Sequence, residues 1–250
     1  MVSFFRKSVP APVVARQPRL PAGLRVYAIG DVHGRLDLLD EAFGKIDRTE
    51  LERPSERNLT ILLGDMIDRG PDSQGVVSHI LTRSKRRWML AMRGNHEQYL
   101  LDFLDDPDIL EEWGPLGAFN TLLSYGLKPN RAPTPEQRRQ LSQDLRAALP
   151  PGHLDFYQNL PISFSCHGYF FAHAGIRPGV ALDQQSPEDL LWIRDEFLGH
   201  RGPFERVVVH GHTPVVVPEL LPHRINLDTG AYATGRLTCA LLEGDDVVLL

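Results

Sequence analysis

Six residues of metal-ligand type stand just beyond apolar runs in this chain. Asp31 and His33 follow Val26–Ile29 in Gly30-Asp-Val-His-Gly34. Asp65 follows Ile61–Leu63 in Gly64-Asp-Met-Ile-Asp-Arg-Gly70. Asn95 follows Met89–Met92 in Arg93-Gly-Asn-His-Glu97. His173 lies in Phe171-Ala-His-Ala-Gly175, and His212 in Val209-His-Gly-His-Thr-Pro214. Carboxylate, amide and imidazole donors without a thiolate suit a divalent ion such as Mn²⁺, Fe or Zn²⁺. A carboxylate has two oxygens, so one aspartate can bridge two ions. Asp31 and His33 are two residues apart and converge only if the chain turns between them. A lone Gly-Asp usually marks a turn, but turn chemistry alone does not require a ligand at five successive strand ends.

Elements must deliver these residues. Leu24–Ile29, Asn58–Leu63 and Trp88–Met92 read as strands. Leu36, Leu38, Leu39, Ala42, Phe43 and Ile46 keep helical spacing, and further helices are expected over Val76–Leu81 and Glu97–Leu104. The polar stretch from Arg48 to Arg57 reads as a connection. Strand–helix alternation implies a parallel sheet covered by helices, and open α/β sheets gather their ligands beyond the strands' carboxyl ends. From Pro107 to Leu160 the pattern turns helical, over Ile109–Tyr125, Pro135–Leu149 and His153–Asn159, and is expected to form an insertion walling one side of the site. After it come strands at Ile162–Cys166 and Tyr169–Ala172, a hairpin around His167-Gly168. Further strands fall at Val207–Val209, Arg224–Leu227, Leu237–Leu242 and Val247–Leu250, with a turn at Gly244-Asp245. Residues 1–22, with four prolines, read as a flexible arm, and residues 23–250 as one domain.

The totals narrow the class. The 250 residues are 42% apolar and 24% charged, as in an ordinary soluble globular protein. A net charge of -5 and a pI near 6.1 argue against nucleic acid as a partner. No apolar run reaches the length of a membrane span, so no membrane partner is expected. Two cysteines, Cys166 and Cys239, make no disulfide framework and read as buried thiols; a cytoplasmic location is the expectation.

The five motifs together resemble those of the phosphoprotein phosphatase family of metallophosphoesterases, in particular its bacterial and phage lambda-type serine/threonine phosphatases. The match runs from about Arg25 to the C-terminus. The resemblance implies an α/β fold: a central β-sandwich of mixed sheets flanked by helices, with the helical insertion at 107–160. It implies a dinuclear site, with Mn²⁺ the expected metal. Asp31, His33 and Asp65 would bind one ion; Asp65, Asn95, His173 and His212 the other. A hydroxide held between the ions would attack phosphorus. His96 would protonate the leaving alkoxide with Asp68 holding it, and Arg69, Arg93 and Arg194 would bind the phosphoryl oxygens. Trp113, Asn120-Thr121 and Ser124-Tyr125-Gly126 resemble the stretch after the third motif, though the usual Asn-Gly-Gly is replaced by Gly117-Ala-Phe-Asn120. Asn226–Gly230 resembles the family's late strand beneath the site, and His210 reads as a neighbour of the ligands. The expected partner is a phosphorylated protein or peptide. The alternative is a nucleotide hydrolase of the symmetrical diadenosine tetraphosphatase kind. Those enzymes typically carry Ala at the position of Asp68 and Asp at that of Glu97, and this chain follows the protein phosphatases at both.

Overall fold

A computed structural model describes residues 19–250. Most of the expected arm, residues 1–18, lies outside the described residues. Packing begins earlier than position 23: Leu20 is buried between the sheets and its N–H donates to the Gly244 carbonyl at 2.9 Å.

Two five-stranded mixed sheets stack face to face. The first contains β1 (Leu24–Ile29), β2 (Arg57–Leu62), β3 (Met89–Ala91), β9 (Cys239–Glu243) and β10 (Asp246–Leu249), in the order β10-β9-β1-β2-β3. The second contains β4 (Ser163–Cys166), β5 (Tyr169–Ala172), β6 (Val207–His210), β7 (Glu219–Leu220) and β8 (Arg224–Asn226), in the order β4-β5-β6-β8-β7. Three strands run parallel in each sheet, β1-β2-β3 in one and β5-β6-β8 in the other; the antiparallel β9 and β10 extend the first sheet on one side, and the antiparallel β4 and β7 form both edges of the second.

The alternation of side chains along a strand decides the layers. Val26 and Ala28 point inward with Ile61, Tyr169, Phe171, Val209 and Ile225, forming the core between the sheets. Tyr27 and Ile29 point outward under helices α1 (Leu36–Glu52), α2 (Ser73–Ser84) and α3 (Asn95–Asp105). Phe170, Ala172 and Val208 point outward on the other side. They pack under Leu190, Ile193 and Phe197, around α8 (Pro187–Trp192) and α9 (Asp195–Leu198). Central strands buried on both faces explain why β1 is apolar along nearly its whole length.

Several boundaries differ from the sequence reading. Helix α1 runs on to Glu52 because its apolar stripe ends at Ile46 but nothing breaks the backbone until Arg53-Pro54, so the polar connection is short. The expected helix over Ile109–Tyr125 is broken into 3₁₀ turns and the short helices α4 (Leu110–Trp113) and α5 (Ala118–Ser124). Pro115 lacks a backbone donor, and Gly117 has φ +117, outside helical space. Helices α6 (Pro135–Ala148) and α7 (His153–Asn159) fall as expected. The two-residue β7 and the four-residue α10 (Ala231–Thr234) are too short to leave a periodic signal. Cys166 and Cys239 are both buried and unbridged. Among the described residues no helix is long and apolar enough to cross a membrane.

Candidate active site

The parallel strands of both sheets end on one side of the sandwich, and their trailing loops are laced together. The Val32 and His33 N–H groups both donate to the Asp65 carbonyl, at 3.1 and 2.8 Å, and Gly34 N–H donates to Met66 O at 2.9 Å. Across the sandwich, Gly211 N–H donates to His173 O at 2.8 Å. The loops turn within a single residue. His33, Asp65, Asp68, Arg69 and His212 all have φ between +46 and +71, in the left-handed region. Side chains other than glycine visit that region only when the surroundings enforce it, and such residues cluster where a site dictates backbone geometry. Gly64 and Gly94 admit the close approach of two loops: a Cβ on Gly64 would lie 2.6 Å from Gly94 N, and one on Gly94 would overlap the Asp65 carboxylate.

All six expected ligands are buried, and the fold brings them together. His33, Asp65 and His96 present ligand-type atoms within 4.8 Å of one another, and so do Asp65, His173 and His212. Asp65 belongs to both groups and splits its oxygens between them: Oδ2 lies 3.6 Å from His33 Nε2, while Oδ1 lies 3.3 Å from His173 Nε2. Asn95 Oδ1 lies 3.0 Å from His173 Nε2 and 2.9 Å from His212 Nδ1. Asp31 stands beside the same groups, accepting the His212 N–H at 3.0 Å on Oδ2.

The donor set fits divalent cations on three counts. First, the tautomers are set. His33 Nδ1 and His173 Nδ1 each donate to a carbonyl, Ile67 O and Leu63 O, both at 2.9 Å, which makes Nε2 of each the nitrogen turned toward the cluster. Second, Asp31 Oδ1 is buried with no hydrogen-bond partner among the described residues, a state that costs free energy unless something occupies it. Third, the electrostatics call for positive charge. Burial pushes His33 down to about 3 and His212 down to about 2, so both are neutral at pH 7. Burial would lower His173 as well, but the Asp65, Asp31 and Glu97 carboxylates raise it to about 10. Burial, with the Asp228 charge added, holds Asp31 well above the usual carboxylate range.

Beside the clusters stands a carboxylate–imidazole pair. Asp68 Oδ2 lies 2.6 Å from His96 Nδ1. The insertion holds Asp68 in place: Trp113 Nε1–H donates to Oδ2 at 2.5 Å, and Thr121 Oγ1–H donates to Oδ1 at 2.5 Å. Burial would lower the His96 pKa, but Asp65 and Asp68 outweigh it and the net shift is upward. Arg69 Nη2 lies 3.2 Å from His96 Nε2.

In the sequence Glu97 only separates two enzyme kinds. It is fully buried and acts as the staple of the site. Oε2 accepts from Asp65 N–H at 2.9 Å and Gly94 N–H at 2.8 Å, and Oε1 accepts from Met66 N–H at 2.7 Å and, more weakly, Ile67 N–H at 3.3 Å.

The three arginines part company. Arg69 is half-buried, its Nη2 against His96. Arg194 is exposed at the start of α9, close enough for its charge to depress His212. Arg93 differs from the expectation. Its Nη1 donates to Gln98 Oε1 at 2.9 Å, and Nη2 donates to the Tyr157 and Gln158 carbonyls near the end of α7, at 3.3 and 3.0 Å. Its terminal nitrogens therefore tie the insertion to β3 rather than offering donors to a phosphoryl group. His210, 0% exposed, lies edge-on to Phe197 at 4.9 Å and supplies no atom to either cluster. His153 is hydrogen-bonded to Tyr125 at 2.8 Å and Ser78 at 3.1 Å in the insertion's core. Asn226–Gly230 lies under Gly30: Asp228 N–H donates to Asn226 Oδ1 at 3.0 Å, and Gly230 N–H to Asp228 Oδ1 at 2.8 Å. Tyr232, at the mouth of the site, left no signal in the sequence.

Strand ends of two sheets converging on paired clusters of Asp, His and Asn define a class, and comparison agrees with it. The family model of the calcineurin-like phosphoesterases matches residues 24–249, and the chain belongs to that family. It is a hydrolase of phosphate esters built on the metallophosphoesterase fold. Among its relatives are the asymmetrical bis(5'-nucleosyl)-tetraphosphatase PrpE of Oceanobacillus iheyensis and the serine/threonine-protein phosphatase 1 of Salmonella typhimurium. The first is 26% identical over 234 residues, 86% of this chain and 87% of the relative. The second is 28% identical over 227 residues, 87% and 92%. A solved structure described as that of a candidate diadenosine tetraphosphatase superposes with a TM-score of 0.60 at 22% identity, covering 90% of this chain and 92% of that one.

Proposed function

We propose that this chain is a metal-dependent phosphatase of phosphoserine and phosphothreonine in proteins. The observation that carries the reading is the buried Asp68–His96 pair set beside two metal-capable clusters that share Asp65. Serine and threonine alkoxides are poor leaving groups and need a proton as the ester bond breaks. A nucleotide leaving a polyphosphate departs as a stable phosphate anion and needs little help. A held, pKa-raised histidine therefore suits the alkyl ester.

On this reading Asp31, His33 and Asp65 would hold one divalent ion, and Asp65, Asn95, His173 and His212 the other, with Mn²⁺ the first choice and Fe or Zn²⁺ compatible with the donors. Bound there, the ions would polarise the phosphoryl oxygens and make an attacking water more acidic. Arg69 and Arg194 orient the phosphoryl group. As water oxygen bonds to phosphorus and the ester P–O bond breaks, His96 gives its Nε2 proton to the leaving oxygen. Asp68 accepts the Nδ1–H throughout and stabilises the imidazolium. His96 is assigned to proton delivery rather than to an ion because Asp68 occupies Nδ1 and the Arg69 cation faces Nε2.

The insertion supplies room for a polypeptide. A groove of about 860 Å³ is lined by Leu110, Pro115, Phe119, Leu123, Pro129 and Arg131. It shares Asn120 with the site, since the Asn120 amide donates to the Arg69 carbonyl. The relatives named as tetraphosphatases favour a second reading, a dinucleotide hydrolase on the same clusters. The two separate on kcat/KM for a phosphothreonine peptide against diadenosine tetraphosphate, with symmetrical and asymmetrical products both followed. We expect the peptide to be preferred. Efficient dinucleotide cleavage with negligible action on the peptide would overturn the first reading in favour of the second.

A further inference from the structure

Arg69 is a long, flexible side chain, and holding it still has an entropic cost. Three contacts hold its guanidinium. Nε donates to Leu116 O at 3.3 Å, Nη2 reaches His96 Nε2, and Cζ lies 4.7 Å from the centroid of the Tyr232 ring. The first uses an in-plane N–H, and the second sets Nη2 against the imidazole edge. The third, a contact over the ring, engages no N–H and leaves those not already in use free to donate to an incoming phosphoryl oxygen.

Tyr232 is 41% exposed, so burial does not explain where it sits. Its ring also stands edge-on to His33, with centroids 5.3 Å apart and planes at 86°. One exposed ring thus touches both a proposed ligand and the proposed phosphate arginine. Its platform is firm although α10 is only four residues long. Gly230 and Gly235, with φ of +64 and +69, bracket it. Thr234 Oγ1 lies within hydrogen-bond reach of Thr229 O and Gly230 O, at 2.8 and 3.0 Å, and Arg35 Nη1 donates to Ala231 O at 3.0 Å.

We propose that Tyr232 is a positioning residue for phosphate capture, acting through Arg69. The ring face keeps the guanidinium at the mouth of the site with its unused N–H groups open, and so sets affinity for the phosphoryl group rather than the rate of bond breaking. The ring does this and the hydroxyl is dispensable. The inference rests on the role proposed for Arg69.

The test uses the full chain loaded with Mn²⁺, a phosphothreonine peptide as substrate and inorganic phosphate as competitive inhibitor. Tyr232→Leu is expected to raise KM and the phosphate Ki about two- to fivefold, the worth of a partly exposed cation–π contact, with kcat within about twofold of wild type. Tyr232→Phe should restore both. In an Arg69→Met background, Tyr232→Leu should add nothing. Equal effects of Tyr232→Leu with and without Arg69 would overturn the proposal, as would a fall in bound metal, which would route the effect through His33. If Arg69→Met raises Ki and Tyr232→Leu does not, this proposal alone falls. If Arg69→Met leaves Ki unchanged, the role of Arg69 falls and takes the proposal with it.

Discussion

His96 is the residue on which the proposed chemistry turns. Its Nδ1 is taken by Asp68 and its Nε2 faces the site beside Arg69. Replacing it by Asn should leave bound metal unchanged, because no ligand is removed. It should lower kcat by roughly 10²–10⁴, the usual worth of a positioned acid. The loss should be largest for alkyl phosphates and should shrink for aryl phosphates, whose leaving groups need little protonation. Steady-state kinetics on matched alkyl and aryl esters check this; equal losses would remove His96 from leaving-group protonation. That the six proposed ligands, Asp68 and His96 gather at one place was legible in the sequence, because each stands within a few residues of the end of an apolar run. The direction of a side chain was not. Arg93 follows its strand as faithfully as Asp65 does, yet its guanidinium turns to the end of α7.

At the scale of elements, the N-terminus of α3 organises the site. Asn95 is the first residue of the helix, and Glu97 at the third position reaches back to four backbone N–H groups in two loops. The reach of Glu97 back to the Gly94 N–H is a local pattern, but its extension to Asp65 and Met66 spans over thirty residues and cannot be read from spacing. Glu97→Asp shortens the reach by one methylene and should strand buried N–H groups on the second motif. We expect a loss of about 1–3 kcal/mol in unfolding free energy, the cost of an unsatisfied buried donor, together with weaker metal binding. Chemical denaturation and metal analysis check this; unchanged values in both would show that the staple is not needed. The same limit hid the ties from Trp113 and Thr121 to Asp68, which join residues 45 and 53 positions apart.

At the scale of the molecule, the six proposed ligands come from loops of both sheets: Asp31, His33, Asp65 and Asn95 from the first, His173 and His212 from the second. The ion proposed for Asp65, Asn95, His173 and His212 draws on both sheets and would bind only to the closed sandwich, so binding should stabilise it by mass action. Adding Mn²⁺ to stripped protein at about a hundred times its Kd should raise Tm by roughly 5–10 °C. Asp65→Asn, which weakens the one carboxylate shared by both clusters, should lose most of that rise. Calorimetry on both proteins checks this, and an equal rise in the variant would deny Asp65 its shared role. The layered architecture itself was foreseeable, since β1 is apolar on both faces while α1 is apolar on one. The early start of packing at Leu20 was not, because one leucine among prolines carries no periodicity.

The grip of the insertion on Asp68 has a consequence for how this protein would fail. The proposed ligands are held by the sandwich, whereas the partner of the proton donor is held by Trp113 and Thr121 of the insertion. A substitution at Trp113 or Thr121 that leaves the hold of Leu116 and Asn120 on Arg69 in place would spare the charge-rich floor of the site and spoil only the delivery of the proton. Such a molecule would pass any inspection based on metal content or on a chromogenic aryl ester. It would fail only on serine and threonine esters, a damaged enzyme that looks intact to any test that brings its own good leaving group.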